Sequence, residues 1–104
     1  MAIGLTSSQR AFLRSRARLR RPDVLVGKAG LTENVLNHIR TQLARLELIK
    51  VKLPRSVGTL RRAAAEELAR SLEAELVDVV GHVVVLYKPN LELPPDKRLV
   101  LPDD

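Results

Sequence analysis

The chain has 104 residues, with 18 lysines and arginines against 12 aspartates and glutamates, a net charge of +6 and no cysteine. The lack of cysteine excludes disulfide bonds, thiolate metal sites and cysteine nucleophiles, and no apolar run approaches the roughly 18 residues of a membrane span. The length and the 45% of apolar residues predict one domain with its own core.

The positive charge is concentrated in the first part of the chain. Up to Arg62 there are 14 basic and 3 acidic residues, whereas the remainder has 4 basic and 9 acidic residues. This asymmetry indicates that the first part faces a polyanion. The N-terminal residues, which are rich in arginine and serine and lack an acid before Asp23, also have the composition of an organelle transit peptide, although they equally predict a folded helix. Nothing suggests secretion, and we expect a cytoplasmic protein.

The first predicted elements are a helix and a short strand. Thr6 is a suitable N-cap for a helix that runs to about Ala17, with Phe12 and Leu13 on its apolar side. Residues 24–27 predict a first strand, and we expect it to be buried on both faces because its apolar residues do not alternate with polar ones.

A second helix and an alternating strand follow. Thr32 caps the helix, whose apolar stripe consists of Val35, Leu36, Ile39, Leu43 and Leu46. In residues 48–53 apolar and basic residues alternate, which predicts a half-exposed strand with Ile49, Val51 and Leu53 inward and two lysines outward.

The remaining pattern predicts a third helix, a hairpin and a tail. Residues 59–74 have a helical stripe formed by Leu60, Ala64, Leu68 and Leu72. Residues 76–80 and 83–87 predict strands joined by a two-residue turn at Gly81 and His82. Residues 88–104 contain four of the six prolines. They predict an extended tail in which residues 99–101 could pair at a sheet edge.

The predicted order is αβαβαββ, an α/β (α+β) fold with three helices on a four-stranded mixed sheet. Two crossovers would join parallel strands, and the hairpin would add an antiparallel pair. The second and third helices should share one face, while the first could cover the other face or an edge. We divide the chain into a domain at residues 1–88 and a proline-rich tail at residues 89–104.

The segment Gly27-Lys28-Ala29-Gly30 lies where the first strand leads into the second helix. Glycine permits positive φ and close approach of a ligand, and the free N–H groups at a helix start carry partial positive charge. We predict that this segment contacts phosphate through Lys28 and through the backbone amides of Gly30 and Leu31. The alternative is a tight turn that only connects strand and helix.

Further basic residues form three groups. The end of the first helix carries Arg14, Arg16, Arg18, Arg20 and Arg21, the second strand carries Lys50 and Lys52, and the start of the third helix carries Arg55, Arg61 and Arg62. Arginine binds phosphate oxygens through a planar fork of donors. The alternatives are a solvated helix end, charges that discourage strand pairing, and ordinary surface arginines.

The runs at residues 24–33, 47–52 and 79–89 resemble the CRM domain of the YhbY family. The resemblance implies the αβαβαββ fold, which is related to the C-terminal domain of the third translation initiation factor. It also implies that Gly27, Lys28, Ala29 and Gly30 form a GxxG loop like that of KH domains. Small members of this family associate with precursors of the large ribosomal subunit, and plant members assist intron splicing.

We therefore expect a non-catalytic RNA-binding protein that associates with ribosomal RNA of large-subunit precursors. Phe12 and Tyr87 are the only aromatic residues, which excludes a sheet on which bases stack. His38 and His82 lie in no catalytic or metal-binding motif, and we expect no cofactor, metal, small-molecule substrate or membrane partner. The alternatives are a protein-interaction module that uses the acidic half, an RNA chaperone or splicing-type factor on other RNA, and a binder of duplex DNA.

Overall fold

The structure, a computed structural model, describes residues 4–103 and has the predicted order of elements. The helices are α1 (Ser7–Arg18), α2 (Glu33–Leu46) and α3 (Arg61–Leu72), and the strands are β1 (Val24–Leu25), β2 (Leu48–Lys52), β3 (Glu75–Val80) and β4 (Val83–Tyr87). The sheet order is β1-β2-β4-β3, with β1 parallel to β2 and the other pairs antiparallel. The predicted fold, three helices on a four-stranded mixed sheet, is confirmed.

Side-chain caps explain where the first two helices begin. The Thr6 hydroxyl accepts the Gln9 backbone N–H at 3.1 Å, and the Gln9 side chain accepts the Thr6 N–H at 3.0 Å, which forms a capping box. The Thr32 hydroxyl accepts the Val35 N–H at 3.3 Å at the start of α2. Both predicted caps are confirmed.

The two faces of the sheet are covered by different elements. On one face α2 and α3 bury Ile39, Leu43, Leu68 and Leu72 against Ile49, Val51, Val84 and Leu86. On the other face α1 buries Leu13 and Ala17 against Leu48, Val77, Val85 and Tyr87. The position of α1, which the sequence left open, is therefore opposite to that of α2 and α3.

The predicted burial of the first two strands is wrong, and in opposite directions. Leu25 on β1 is 71% exposed, because β1 is an edge strand of the sheet and α1 packs across β2, β3 and β4. In β2 the predicted inward residues Ile49 and Val51 are buried, but Leu48 is buried too and Lys50 is partly covered. Strand order, which residue periodicity does not encode, decides which strand is covered on both faces.

The third helix begins later than the sequence predicts. Residues Arg55–Leu60 form a 3₁₀ segment that is interrupted at Gly58, whose φ is 53°. Leu60, which we placed in the apolar stripe of the helix, is 68% exposed. The buried stripe of α3 consists of Ala65, Leu68, Ala69 and Leu72.

The C-terminal segment, residues 88–103, folds back over the α1 face. Leu99 and Leu101 pack against the cluster around Leu13, and the Gln9 side-chain amide donates to the Pro102 carbonyl at 2.9 Å. Residues 99–101 form no strand, so they do not pair at a sheet edge. The apolar surface between α1 and the sheet is thus completed by residues distant in sequence.

Glu47 holds this segment in place. It follows α2 with a φ of 65°, and its side chain is fully buried. Its two carboxylate oxygens accept the backbone N–H groups of Asn90, at 2.7 Å, and Leu99, at 2.6 Å, and Arg98 lies 3.7 Å away as an ion-pair partner. Burial, and secondly the Glu47 carboxylate, raises the pKa of Tyr87. One buried anion thus holds the C-terminal segment at two points.

We predict that Glu47→Ala lowers the free energy of unfolding by about 2–4 kcal/mol, because two backbone N–H groups lose their acceptor. Glu47→Gln, which retains one acceptor oxygen, should lie between this variant and the wild type. Urea unfolding measures the difference, with exposed Glu67→Ala as the control. A Glu47→Ala variant as stable as Glu67→Ala would contradict this role.

Candidate nucleic-acid interface

The glycine loop, residues 27–30, leaves the sheet at the carboxyl ends of β1 and β2. Leu25 is paired with Lys52, and the Val26 N–H donates to the Lys52 carbonyl at 2.9 Å. The loop closes on itself, since the Gly30 N–H donates to the Gly27 carbonyl at 3.0 Å. Gly27, Lys28 and Ala29 are exposed, and Gly30 and Leu31 are half-buried. The main chain of the loop is open to an approaching ligand.

The hydrogen bonds of the loop change which amides are available. We expected Gly30 and Leu31 to donate to phosphate, but the Gly30 N–H is used within the turn. The N–H groups of Lys28, Ala29 and Leu31 donate to no backbone carbonyl among the described residues. These three amides, next to the N-terminus of α2, can donate to an anion.

The two glycines of the loop differ in what the fold requires of them. Gly30 has a φ of 79°, a conformation that disfavours any residue with a Cβ. Gly27 has no positive φ, and a Cβ built on it would meet nothing within 4 Å. The turn therefore explains glycine at position 30 but not at position 27.

Several other predicted contact residues lie at the same end of the sheet. The Leu53 N–H donates to the His82 carbonyl at 2.7 Å, which places the β3–β4 turn beside the end of β2. The His82 side chain is half-buried and its Nε2 is buried without a hydrogen-bond partner, although we expected an exposed residue. Lys52 and Arg55 are exposed there, close in sequence to the start of α3.

The two arginines at the start of α3 have local partners. The Arg61 guanidinium donates to the Gly58 carbonyl at 3.3 Å, and Arg62 lies 3.8 Å from Glu66. The Arg62 pair is exposed and is therefore worth little to stability. Both contacts lie at the exposed surface, so both guanidinium groups remain available to an anionic ligand.

The arginines of α1 do not form one cluster. Residues two apart on a helix are about 200° apart, whereas residues four apart share a side. Arg14 and Arg18 accordingly lie on one side of the buried Leu13 and Ala17, and Arg16 and Arg20 lie on the other. Four of the five arginines thus supply two surfaces, and Arg21 belongs to neither.

The first surface is a groove of about 260 Å³ between α1 and the sheet. Arg14, Arg18 and Lys50 supply its positive charge, Asp78 is an acid on its wall, and valines from β3 and β4 form its floor. Two of those valines, Val80 and Val83, flank the β3–β4 turn. The groove therefore opens towards the end of the sheet that carries the glycine loop.

Two further predicted contact residues, Arg20 and Lys50, have intramolecular partners. The Arg20 guanidinium donates to the Leu48 carbonyl and to the Asp23 carboxylate, both at 2.6 Å. The Lys50 ammonium donates to the Arg20 carbonyl at 2.7 Å. These bonds hold the chain between α1 and β1 against β2. Arg21 is exposed, and Arg16 lies over the Phe12 ring at 5.5 Å.

Within residues 4–103, no cluster of three or more acidic, histidine or cysteine side chains is arranged to hold a metal ion. No helix in the described part of the chain has the length and apolar character needed to cross a membrane. Basic groups lie together at the strand ends and along α1.

Comparison with known proteins places this fold and loop in a family. The family model of the CRS1/YhbY (CRM) domain matches residues 5–88. The chain belongs to the CRM domain family. The match covers all three helices and all four strands, and it ends where the C-terminal segment begins.

Individual CRM relatives cover nearly the whole chain. "Probable RNA-binding protein YqeI" of Bacillus subtilis is 36% identical over 98 residues, which are 94% of this chain and 99% of the relative. An "RNA-binding protein" of Haemophilus influenzae is 36% identical over 85% of this chain and 89% of its own length. The solution structure of SAV1595 from Staphylococcus aureus, described as a candidate RNA-binding protein, has a TM-score of 0.78 and 33% identity, covering 95% of this chain and all of that one.

Alanine substitutions at the two loop glycines should change the free energy of unfolding by different amounts. Gly30→Ala should lower the free energy of unfolding by about 1–2 kcal/mol, because it forces alanine into a left-handed conformation. Gly27→Ala should be neutral or stabilise by up to about 1 kcal/mol, since the backbone there suits any residue. Urea unfolding of both variants tests this, and a large loss of stability in Gly27→Ala would show that the fold itself needs the glycine.

Proposed function

We propose that this CRM protein binds RNA by holding the sugar-phosphate backbone in the glycine loop and on the basic surface beside it. The observation that carries the proposal is Gly27, an exposed glycine for which neither backbone conformation nor packing gives a reason. Close approach of a ligand from outside the chain supplies that reason. The relatives from Bacillus subtilis and Haemophilus influenzae are also named as RNA-binding proteins, the former as a probable one.

Phosphate is the group that suits the loop. The free amides of Lys28, Ala29 and Leu31 are directional donors, the start of α2 adds partial positive charge, and the exposed Lys28 ammonium adds a full charge. With only two aromatic residues, of which Tyr87 is buried, the chain has few groups on which bases could stack. Recognition therefore depends on backbone and shape, with little reading of bases.

We further propose that the RNA is ribosomal, in precursors of the large subunit in the cytoplasm, and that the protein acts there without catalysis. Support comes from membership of the CRM family, because the family resemblance implies that small members associate with these precursors. The same surface would also suit an RNA chaperone or splicing-type factor on non-ribosomal RNA, because backbone contacts carry no sequence information.

Gly27→Asp should weaken RNA binding by about tenfold or more, because it places bulk and negative charge where a phosphate would lie. Gly4→Asp is the matched control. Gly4 is also exposed, a Cβ built on it would meet nothing within 4 Å, and the substitution adds the same charge at a position outside the loop. Fluorescence anisotropy with labelled single-stranded RNA gives the affinities, and circular dichroism checks the fold. Equal affinities for the two variants would reject the loop as the binding site.

Lys28→Ala should reduce the slope of log affinity against log salt by about 0.7 to 1, the change expected when one phosphate contact is lost. The measurement is a salt titration of RNA affinity for the variant and the wild type. An unchanged slope would mean that the Lys28 ammonium does not contact phosphate. A protein-interaction module would show no such linear salt dependence with RNA.

Cross-linking in cells, followed by sequencing of the joined nucleotides, identifies the RNA. We expect cross-links concentrated in large-subunit ribosomal RNA for the wild type and reduced for Gly27→Asp. Cross-links mainly in messenger RNA or introns would reject the ribosomal proposal while leaving RNA binding intact.

A further inference from the structure

The C-terminal segment and α1 enclose a second basic site, which we call the α1 cleft. It has a volume of about 290 Å³ and lies at the start of β2, with Leu46, Leu48 and Leu99 among its walls. Four cationic side chains line it, namely Arg16 and Arg20 from the α1 region and Lys97 and Arg98 from the C-terminal segment. Asp96 is the one acid on its wall.

The charges of the α1 cleft are incompletely balanced within the protein. Arg20 is paired with Asp23, and Arg98 lies 3.7 Å from Glu47. Arg98 Nε is nevertheless buried without a hydrogen-bond partner. Arg16 and Lys97 form no ion pair with the described residues, and both side chains belong to exposed residues. Cations held around one small cleft repel each other, and an anion bound between them would relieve that repulsion.

Glu47 positions the C-terminal cations of the cleft beside those of the α1 region. Its carboxylate fixes the Leu99 N–H and faces Arg98, so the adjacent Lys97 is carried to the α1 side. A further bond closes the turn before it, since the Lys97 N–H donates to the Pro94 carbonyl at 2.8 Å. Hydrogen bonds of the backbone therefore hold the C-terminal side of the cleft in place.

The size and chemistry of the cleft favour a phosphate as its occupant. Its surface is mainly polar because guanidinium and ammonium groups surround it, and guanidinium groups bind phosphate oxygens through paired donors. The cleft lies beside Leu48, whereas the glycine loop follows the residues paired with Lys52. Leu48 and Lys52 are four residues apart on β2, about 13 Å at roughly 3.3 Å per residue, and the loop begins beyond Lys52, so the two sites lie at opposite ends of the strand.

We propose that the α1 cleft binds a second backbone phosphate of the RNA strand that the glycine loop holds. This inference rests on the proposed RNA-binding function, and it makes the C-terminal segment, which lies beyond the family match, part of the interface. The cleft would add affinity for RNA that is long enough to reach both sites. It would add nothing for RNA confined to the loop.

The test compares Lys97→Ala and Arg16→Ala with Arg70→Ala, which removes the same charge from the exposed surface of α3. For single-stranded RNA of roughly sixteen nucleotides, well beyond the four that such a loop clamps, each cleft variant should bind about three- to tenfold more weakly than the wild type. Each should also reduce the salt slope by about 0.7, while Arg70→Ala leaves it unchanged. Lys97→Arg, which keeps the charge, should retain most of the affinity.

The outcomes separate this inference from the proposed function. Loss of affinity in Gly27→Asp together with wild-type affinity and slope in both cleft variants would overturn the cleft and leave the loop in place. A wild type without affinity for RNA would overturn both. Losses of equal size on a four-nucleotide RNA would place Lys97 and Arg16 at the loop-bound phosphates and reject a separate site. Circular dichroism should be unchanged and urea unfolding nearly so, because neither substituted side chain is part of the core and Arg16 loses only its exposed contact with the Phe12 ring.

Discussion

The buried carboxylate of Glu47 is the interaction on which the arrangement of this protein depends. A fully buried anion is unfavourable unless its oxygens are hydrogen-bonded, and here both accept backbone N–H groups of the C-terminal segment. The bonds join the end of α2 to residues 90 and 99 and bring Leu99 and Leu101 onto the α1 face. The packing of the C-terminal segment on the α1 face and the α1 cleft are both consequences of this contact.

The sheet provides the other constraint, because its strand order places several loops at one end. The parallel pairing of β1 and β2 brings the glycine loop beside Lys52, and the central position of β4 brings the β3–β4 turn to the same end of the sheet. The sheet thus fixes the position of the exposed main chain of the glycine loop and of the basic side chains at the same end. Such support matters because backbone donors bind phosphate well only when their positions are fixed.

The glycine loop shows how folding and binding make separate demands on a short motif. Gly30 serves the turn, since its φ is positive and its N–H closes the loop, while Gly27 lies in a position where a side chain would meet no part of the protein. The cations likewise divide between roles. Arg20 and Lys50 hold the chain together through carbonyl groups, whereas Lys28, Arg16 and Arg18 are exposed.

The sequence alone determined the order of elements, the caps at Thr6 and Thr32 and the position of the glycine loop, because helical periodicity, alternation and glycine placement are local properties. Tertiary structure decided which strand lies at the edge, so β1 proved half-exposed and β2 covered on both faces. It also separated four of the five arginines at the end of the first helix into two groups and carried Lys97 and Arg98 to one of them. Contacts such as that between Glu47 and Leu99 join residues 52 positions apart, and neither residue has a local pattern that reveals its partner.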